Sequence, residues 1–82
     1  AYFDMGMMYL ETDSLSMAYA SFDIATKTDP LLVKAYYWRG VAAEAQGNIA
    51  SAFADYKQAY GMSPQYEEAK AAKERLEKTG VK

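Results

Sequence analysis

Acidic side chains are the most numerous residues of a catalytic type in this chain of 82 residues, which contains 11 Asp and Glu. Asp4 and Glu11 are one heptad apart in the sequence, so they lie on one face of any helix that contains both. A pair of carboxylates can cleave a glycosidic bond, but only in a cleft that sets their separation. The absence of His and Cys excludes a Ser–His pair, a thiol nucleophile and the commonest ligands of transition metals. We therefore expect no catalytic, cofactor or metal site, and we interpret the carboxylates as solvated or structural.

Composition and charge limit the class of protein further. The chain is 51% hydrophobic and 24% charged, with a net charge of −2, which predicts one small domain over residues 1–82 and argues against a nucleic-acid ligand. No apolar run approaches the ~18 residues of a membrane-spanning helix, so we expect no membrane insertion by this segment. The chain begins at Ala1 without an initiator Met, and we interpret it as a processed protein or an excised piece. Its compartment stays open.

Turn-forming residues divide the chain at regular intervals. Asp29-Pro30 recurs as Ser63-Pro64, and each pair predicts a helix N-cap followed by Pro in the first helical position. Ser14 is a further N-cap candidate, and Gly47 and Gly80 are stop signals. Apolar residues between these breaks recur at helical spacing. We therefore predict an all-α chain of five antiparallel helices over residues 1–12, 14–28, 30–46, 48–61 and 64–79.

The sequence can be aligned with a shifted copy of itself so that Pro30 coincides with Pro64. In this alignment, residues at several other positions coincide as well. The coinciding pairs include Tyr2/Tyr36, Gly6/Gly40, Ala18/Ala52, Ala20/Ala54, Ala25/Ala59, Pro30/Pro64 and Ala35/Ala69. Small residues among these pairs fall where two helices of a hairpin must approach closely, and large residues fall where they can fill space between hairpins. The shift therefore predicts two consecutive copies of one helical hairpin. Two residues that coincide in this alignment are called counterparts below.

The spacing of these residues resembles the tetratricopeptide repeat, a helix–turn–helix unit of about 34 residues. Its pattern appears as Tyr2-x2-Met5-Gly6-x2-Tyr9…Ala18-x3-Phe22…Pro30 and as Tyr36-x2-Arg39-Gly40-x2-Ala43…Ala52-x3-Tyr56…Pro64. The resemblance implies an α-solenoid of two hairpins, residues 1–30 and 31–64, closed by a solvating capping helix in 65–82. Arg39 and Ala43 depart from the family's Leu and Tyr, so we expect looser packing or an altered groove there.

The resemblance also implies a function, because the first helices of such hairpins line a concave groove that usually takes a ligand. We therefore expect a non-catalytic protein–protein interaction module, or scaffold, that binds a partner peptide or helix. Carried over to this sequence, the predicted groove consists of Phe3, Asp4, Met7, Leu10, Lys34, Tyr37, Trp38, Val41 and Arg75, with Glu11, Glu44, Ala45, Glu68 and Ala71 nearby. The family's Lys and Asn clamp for a terminal carboxylate is not expected, because Phe3 and Met7 occupy its places.

Several alternatives remain open from the sequence. Six apolar groove residues form a strip that we expect the core not to need: Phe3, Met7, Leu10, Tyr37, Trp38 and Val41. They can bind a partner, or a neighbouring repeat can bury them. The second interpretation makes the chain a structural spacer or a self-associating fragment of a longer array, and the apolar first helix predicts a homodimer.

Met5, Met8 and Met17 fill gaps in the core or serve a peptide groove, and we favour the core. Lys34 and Arg75 favour an acidic ligand, whereas Asp4, Glu11 and Glu44 favour a basic one.

Overall fold

The computed structural model describes residues 1–80, and within them the chain forms five α-helices and no strand. The helices are α1 (Tyr2–Glu11), α2 (Leu15–Thr28), α3 (Val33–Ala45), α4 (Ile49–Met62) and α5 (Glu67–Lys78). Each helix packs mainly on its neighbours in sequence, α1 on α2, α2 on α3, α3 on α4 and α4 on α5. The predicted all-α stack of helical hairpins is therefore confirmed. The predicted capping segment 65–82 extends to residues 81 and 82, which lie outside the described residues.

The two prolines lie in turns before helices, so their predicted position at the first helical residue is wrong. Asp29 and Ser63 cap the ends of α2 and α4 instead of starting the next helix. The Leu32 amide donates to the Asp29 carbonyl, and the Tyr66 amide donates to the Ser63 carbonyl, both at 3.0 Å. Each Pro is thus the second residue of a four-residue turn, where its fixed φ is favourable.

The turns inside the two hairpins share an unusual backbone conformation. Gly47 follows α3 with φ of +85°, and its counterpart Asp13 follows α1 with φ of +60°. The stop signal predicted at Gly47 is confirmed, because the left-handed conformation suits a residue without Cβ. Ser14 is the N-cap of α2, but its side chain makes no capping hydrogen bond.

Each hairpin is closed by an aromatic ring that packs against a glycine. Phe22 lies against Gly6, and Tyr56 lies against Gly40, so closely that a Cβ on either glycine would be 2.5 Å or 2.9 Å from the ring. Phe22 and Tyr56 are the largest fully buried side chains among the described residues. The two glycines are therefore needed for close approach of the helices, as the repeat predicted.

Two hydrophobic clusters form the core. The first contains Ala18, Phe22 and Ala42, and the second contains Ala43, Ala52, Phe53, Tyr56, Ala72 and Leu76. Ala43 is only 1% exposed, so the looser packing expected at this position is wrong. The prediction that Met5, Met8 and Met17 fill core gaps is also wrong, because they are 42%, 65% and 53% exposed.

Candidate functional site

The predicted groove residues lie on the three helices α1, α3 and α5. On the α1 side, Phe3, Met7 and Leu10 pack partly buried against the first core cluster, and Trp38 of α3 packs against the same cluster. The Phe3 and Phe22 rings are 5.6 Å apart between centroids. The apolar side chains of α1 and Trp38 therefore pack on the same core cluster around Phe22.

A second patch is centred on Tyr37. Its ring centroid is 5.1 Å from that of Trp38, 5.6 Å from that of Tyr56 and 5.4 Å from that of Tyr66. Val41 packs against the second core cluster beside it. Because Tyr37 contacts Trp38 edge-on, the two patches form one strip across α1, α3 and the start of α5. We call this strip, with the polar residues Asp4, Lys34 and Arg75, the groove.

The apolar strip is not independent of the core, which corrects the sequence-based expectation. All six of its members are half-buried, and each packs against one of the two clusters. The pattern of first-helix residues identified the surface but not how deeply those side chains sit.

Arg75 is tied to α3, although the sequence presented it as a groove cation. Its Nη1 and Nη2 donate to Glu44 Oε2 and Oε1 at 2.6 and 2.8 Å, and Tyr56 Oη donates to Oε1 at 2.7 Å. The hydrogen bond from Arg75 holds the pKa of Glu44 below its usual range, and burial raises the pKa of Tyr56. The two charges cancel, so neither Arg75 nor Glu44 biases the ligand in the way that the sequence suggested.

Tyr66 is a groove residue that the sequence analysis missed. It is the N-cap of α5 and half-buried, and its ring extends the surface of Tyr37. Its place after the Ser63-Pro64 turn could have pointed to it, because the chain must return to α3 there. The periodicity did not find it, since an N-cap lies outside the helical pattern.

A partly buried ionic network lies at the junction of α2, α3 and α4. Arg39 Nη2 and Nε donate to Asp55 Oδ1 and Oδ2 at 2.6 and 3.0 Å, and Arg39 Nη1 donates to Asp23 Oδ1 at 2.8 Å. Burial raises the pKa of Asp55, whereas a hydrogen bond from Lys27 lowers the pKa of Asp23. These groups hold one another in place, and their role is to join three helices.

The described residues contain no group of three or more His, Cys, Asp or Glu that could hold a metal ion. In the same part of the chain, no helix combines the length and apolar character that crossing a bilayer requires.

A second apolar surface lies on α1, around the exposed side chains of Tyr2, Met5 and Met8. We call Tyr2, Met5, Met8 and Tyr9 the outer face of α1. A depression of about 310 Å³ is lined by Met5, Met8, Tyr9, Glu11 and Thr12. Met8 is 65% exposed, whereas its counterpart Ala42 is 0% exposed because α3 packs on α2. The outer face of α1 thus lacks the cover that the same face of α3 has.

Comparison with known proteins identifies one segment. Residues 33–66 match the family model described as the tetratricopeptide repeat. The matched segment contains α3 and α4, which is the hairpin with the Gly40–Tyr56 contact. Neither the curated proteins nor the solved structures gave a significant match.

Proposed function

Because residues 33–66 match the tetratricopeptide repeat, we propose that this chain is a non-catalytic interaction module that binds a partner peptide or helix in its groove. Repeats of this kind generally mediate protein–protein interaction. The observation that carries the proposal is the continuous strip of half-buried rings from Phe3 through Trp38 and Tyr37 to Tyr66. Aromatic side chains with rigid surroundings are typical energetic centres of binding surfaces.

Pre-organisation is the physical basis of the mechanism. The rings are fixed by the core clusters before any ligand arrives, so the module loses little side-chain entropy on binding. An amphipathic helix or an extended segment can then bury its apolar side chains against the strip.

Trp38 supplies the readout for a test, because it is the only Trp in the sequence and it lies in the groove. Peptides selected from a random display library should change its fluorescence on titration. Tyr37→Ala and Trp38→Ala should weaken binding, but both also remove core contacts. Met7→Gln is the sharper variant, because it keeps the side-chain volume. We expect it to weaken binding about fivefold, from the loss of ~1 kcal/mol of apolar contact.

Met17→Gln is the matched control. Met17 lies on α2, which contributes no predicted groove residue, and it is 53% exposed. The Met17→Gln variant should bind peptides as tightly as the wild type does. The variants Lys70→Glu and Lys73→Glu should also bind as the wild type does. A library that yields no binder, or binders insensitive to Met7→Gln but sensitive to the lysine variants, would contradict the groove.

Self-association through the outer face of α1 is a second candidate, in which the chain serves as a structural unit. It is favoured by the exposure of Tyr2, Met5 and Met8, which are 44%, 42% and 65% exposed. We commit to a second copy as the occupant, because its own outer face carries the same exposed apolar side chains. Two copies that pair through it would bury both apolar faces by one symmetric contact.

Sedimentation equilibrium at high micromolar concentration tests this candidate. We expect a dimer that Met8→Lys converts to a monomer, while Met17→Lys, a control of similar exposure on α2, leaves the dimer intact. A wild-type chain that stays monomeric would exclude the self-associating unit and leave the groove proposal standing.

A further inference from the structure

Acidic side chains outnumber basic ones around the groove once its internal ion pair is set aside. Glu44 and Arg75 neutralise each other through two hydrogen bonds. Exposed carboxylates remain at Asp4, Glu11 and Glu68, against the exposed ammonium of Lys34. Among the described residues, none of these side chains pairs with another side chain, and Asp4 lies 3.9 Å from the terminal amine. With the terminal amine counted, three carboxylates face two cations, so the rim of the groove carries a small net negative charge.

The end of the groove near α5 combines that charge with aromatic surface. The Tyr37 and Tyr66 rings are 5.4 Å apart and inclined at 50°, and Glu68 lies in the first turn of α5, just after Tyr66. Burial raises the pKa of both tyrosines, and the negative charge of Glu68 raises each pKa further. A cation placed beside these rings would meet their negative faces and a carboxylate together.

We propose that the α3–α5 end of the groove selects partner segments that carry Lys or Arg next to an apolar anchor. This rests on the proposed groove function and names the chemistry of its ligand. The apolar anchor packs against Trp38 and Met7, and the basic side chain lies over Tyr37 and Tyr66 with its charge near Glu68. The rings are too close to each other to enclose a cation, so the contact is made on their exposed edges and faces.

Lys34 opposes this preference for basic ligands and reduces it. It is exposed on the first turn of α3 and repels a basic ligand. Because exposed charge pairs contribute ~0.2–1 kcal/mol each, the preference from Glu68 is a factor of about 1.4 to 5. Replacing Lys34 with Glu should increase it further.

A random-peptide library, displayed without charge bias, is the first probe. Selected peptides should be enriched in Lys and Arg relative to Asp and Glu. Each selected peptide is then synthesised in two forms, with its basic residues kept or replaced by Glu, and titrated against the wild type by Trp38 fluorescence. We expect the basic form to bind more tightly, and raising the salt from about 50 to about 500 mM to reduce the difference.

Glu68→Gln and Glu67→Gln form a matched pair, since both residues lie in the first turn of α5 and both changes remove the same helix-dipole interaction. Glu68→Gln should weaken binding of the basic peptide by about 1.4- to 5-fold, and Glu67→Gln should leave it unchanged. Tyr66→Leu should weaken it as well, whereas Tyr66→Phe, which keeps the ring, should not.

The outcomes separate this inference from the proposed function. Selected peptides that are acidic or neutral, or that bind equally in both charge forms, overturn the basic preference while the groove stands. Equal effects of Glu67→Gln and Glu68→Gln overturn the role of Glu68. A library without any binder overturns both.

Discussion

In the first hairpin, α1 and α2 meet where Gly6 faces Phe22, and in the second, α3 and α4 meet where Gly40 faces Tyr56. The counterparts Ala18 and Ala52 are both 0% exposed. The second hairpin therefore has the same glycine–aromatic contact as the first, except that its ring is Tyr56, which carries a hydroxyl group that Phe22 lacks. That hydroxyl donates to Glu44, whose counterpart in the first hairpin is Leu10.

The polar positions around this shared packing differ. Met5 and Ser21 in the first hairpin stand where the second has Arg39 and Asp55. Arg39 bonds to both Asp55 and Asp23, so α3 is matched to α2 by charge as well as shape. Met5 is 42% exposed. The first hairpin therefore closes without such an ion pair, whereas in the second hairpin Arg39 joins α3 to α4 through Asp55 and to α2 through Asp23.

The largest effect should come from breaking the network at Arg39. Arg39→Met leaves Asp55, with a side chain 7% exposed, without its cation, and should lower the free energy of unfolding by about 3 kcal/mol. The double variant R39M/D55S installs the residues of the first hairpin and should recover most of the loss. Urea titration of both variants measures this, and a single variant as stable as the wild type would show that the network does not hold the hairpins together.

Overpacking should affect the two hairpins alike. Ala52→Leu and Ala18→Leu each add three carbons at a position that is 0% exposed, and each should cost about 1–3 kcal/mol of stability. Thermal melting followed by circular dichroism compares them. An unchanged melting temperature for one of the pair would mean that the repeat register fails in that hairpin.

The α3–α5 ion pair, absent from the first hairpin, should give a pH-dependent contribution of up to ~1 kcal/mol. The pKa of Glu44 lies below its ordinary 4.5 because Arg75 donates to the carboxylate. Its stabilisation is therefore present above the ordinary pKa and lost as the pH falls through the lowered pKa. Glu44→Gln should melt below the wild type at pH 7, and the two curves should converge towards pH 3. A difference that persists in acid would assign the effect to packing.

The smallest effect should come from a glycine that no contact requires. A Cβ added to Gly61, in the last turn of α4, would have nothing within 4 Å, and the φ of this residue is not positive. Gly61→Ala should raise stability by about 0.5 kcal/mol through helix propensity. Gly40→Ala, the matched change at a close contact, should not raise it. Equal gains at both would contradict the distinction between the two glycines.

The sequence predicted the helices, their order and the close contacts well, since these follow from local spacing and from small residues in register. It placed the helix starts at Pro30 and Pro64, because Pro in the first helical position and Pro in the preceding turn share one φ. The backbone hydrogen bond that closes each turn shows that Pro lies in the turn and not in the helix. The types of residue in the sequence do not reveal this bond.

The groove was predictable as a set of positions, and its energetics were not. The sequence alone does not distinguish an Arg75 that faces solvent from one that bonds to Glu44. The distance between α3 and α5 determines whether the bond forms. Likewise, Arg39 was expected to loosen packing or to alter the groove, whereas its guanidinium donates to Asp55 on the next helix. Partner assignments of this kind depend on tertiary geometry, which periodicity within one helix cannot supply.

The network at Arg39 has a consequence for how the chain folds. Helices in this molecule contact mainly their sequence neighbours, so each end could fray without disturbing the other. Arg39 binds α2 and α4 at the same time, and it therefore couples the three central helices into one cooperative unit. The slowest amide hydrogen exchange should accordingly be found in α2, α3 and α4, with α1 and α5 opening first because each packs mainly on one neighbouring helix.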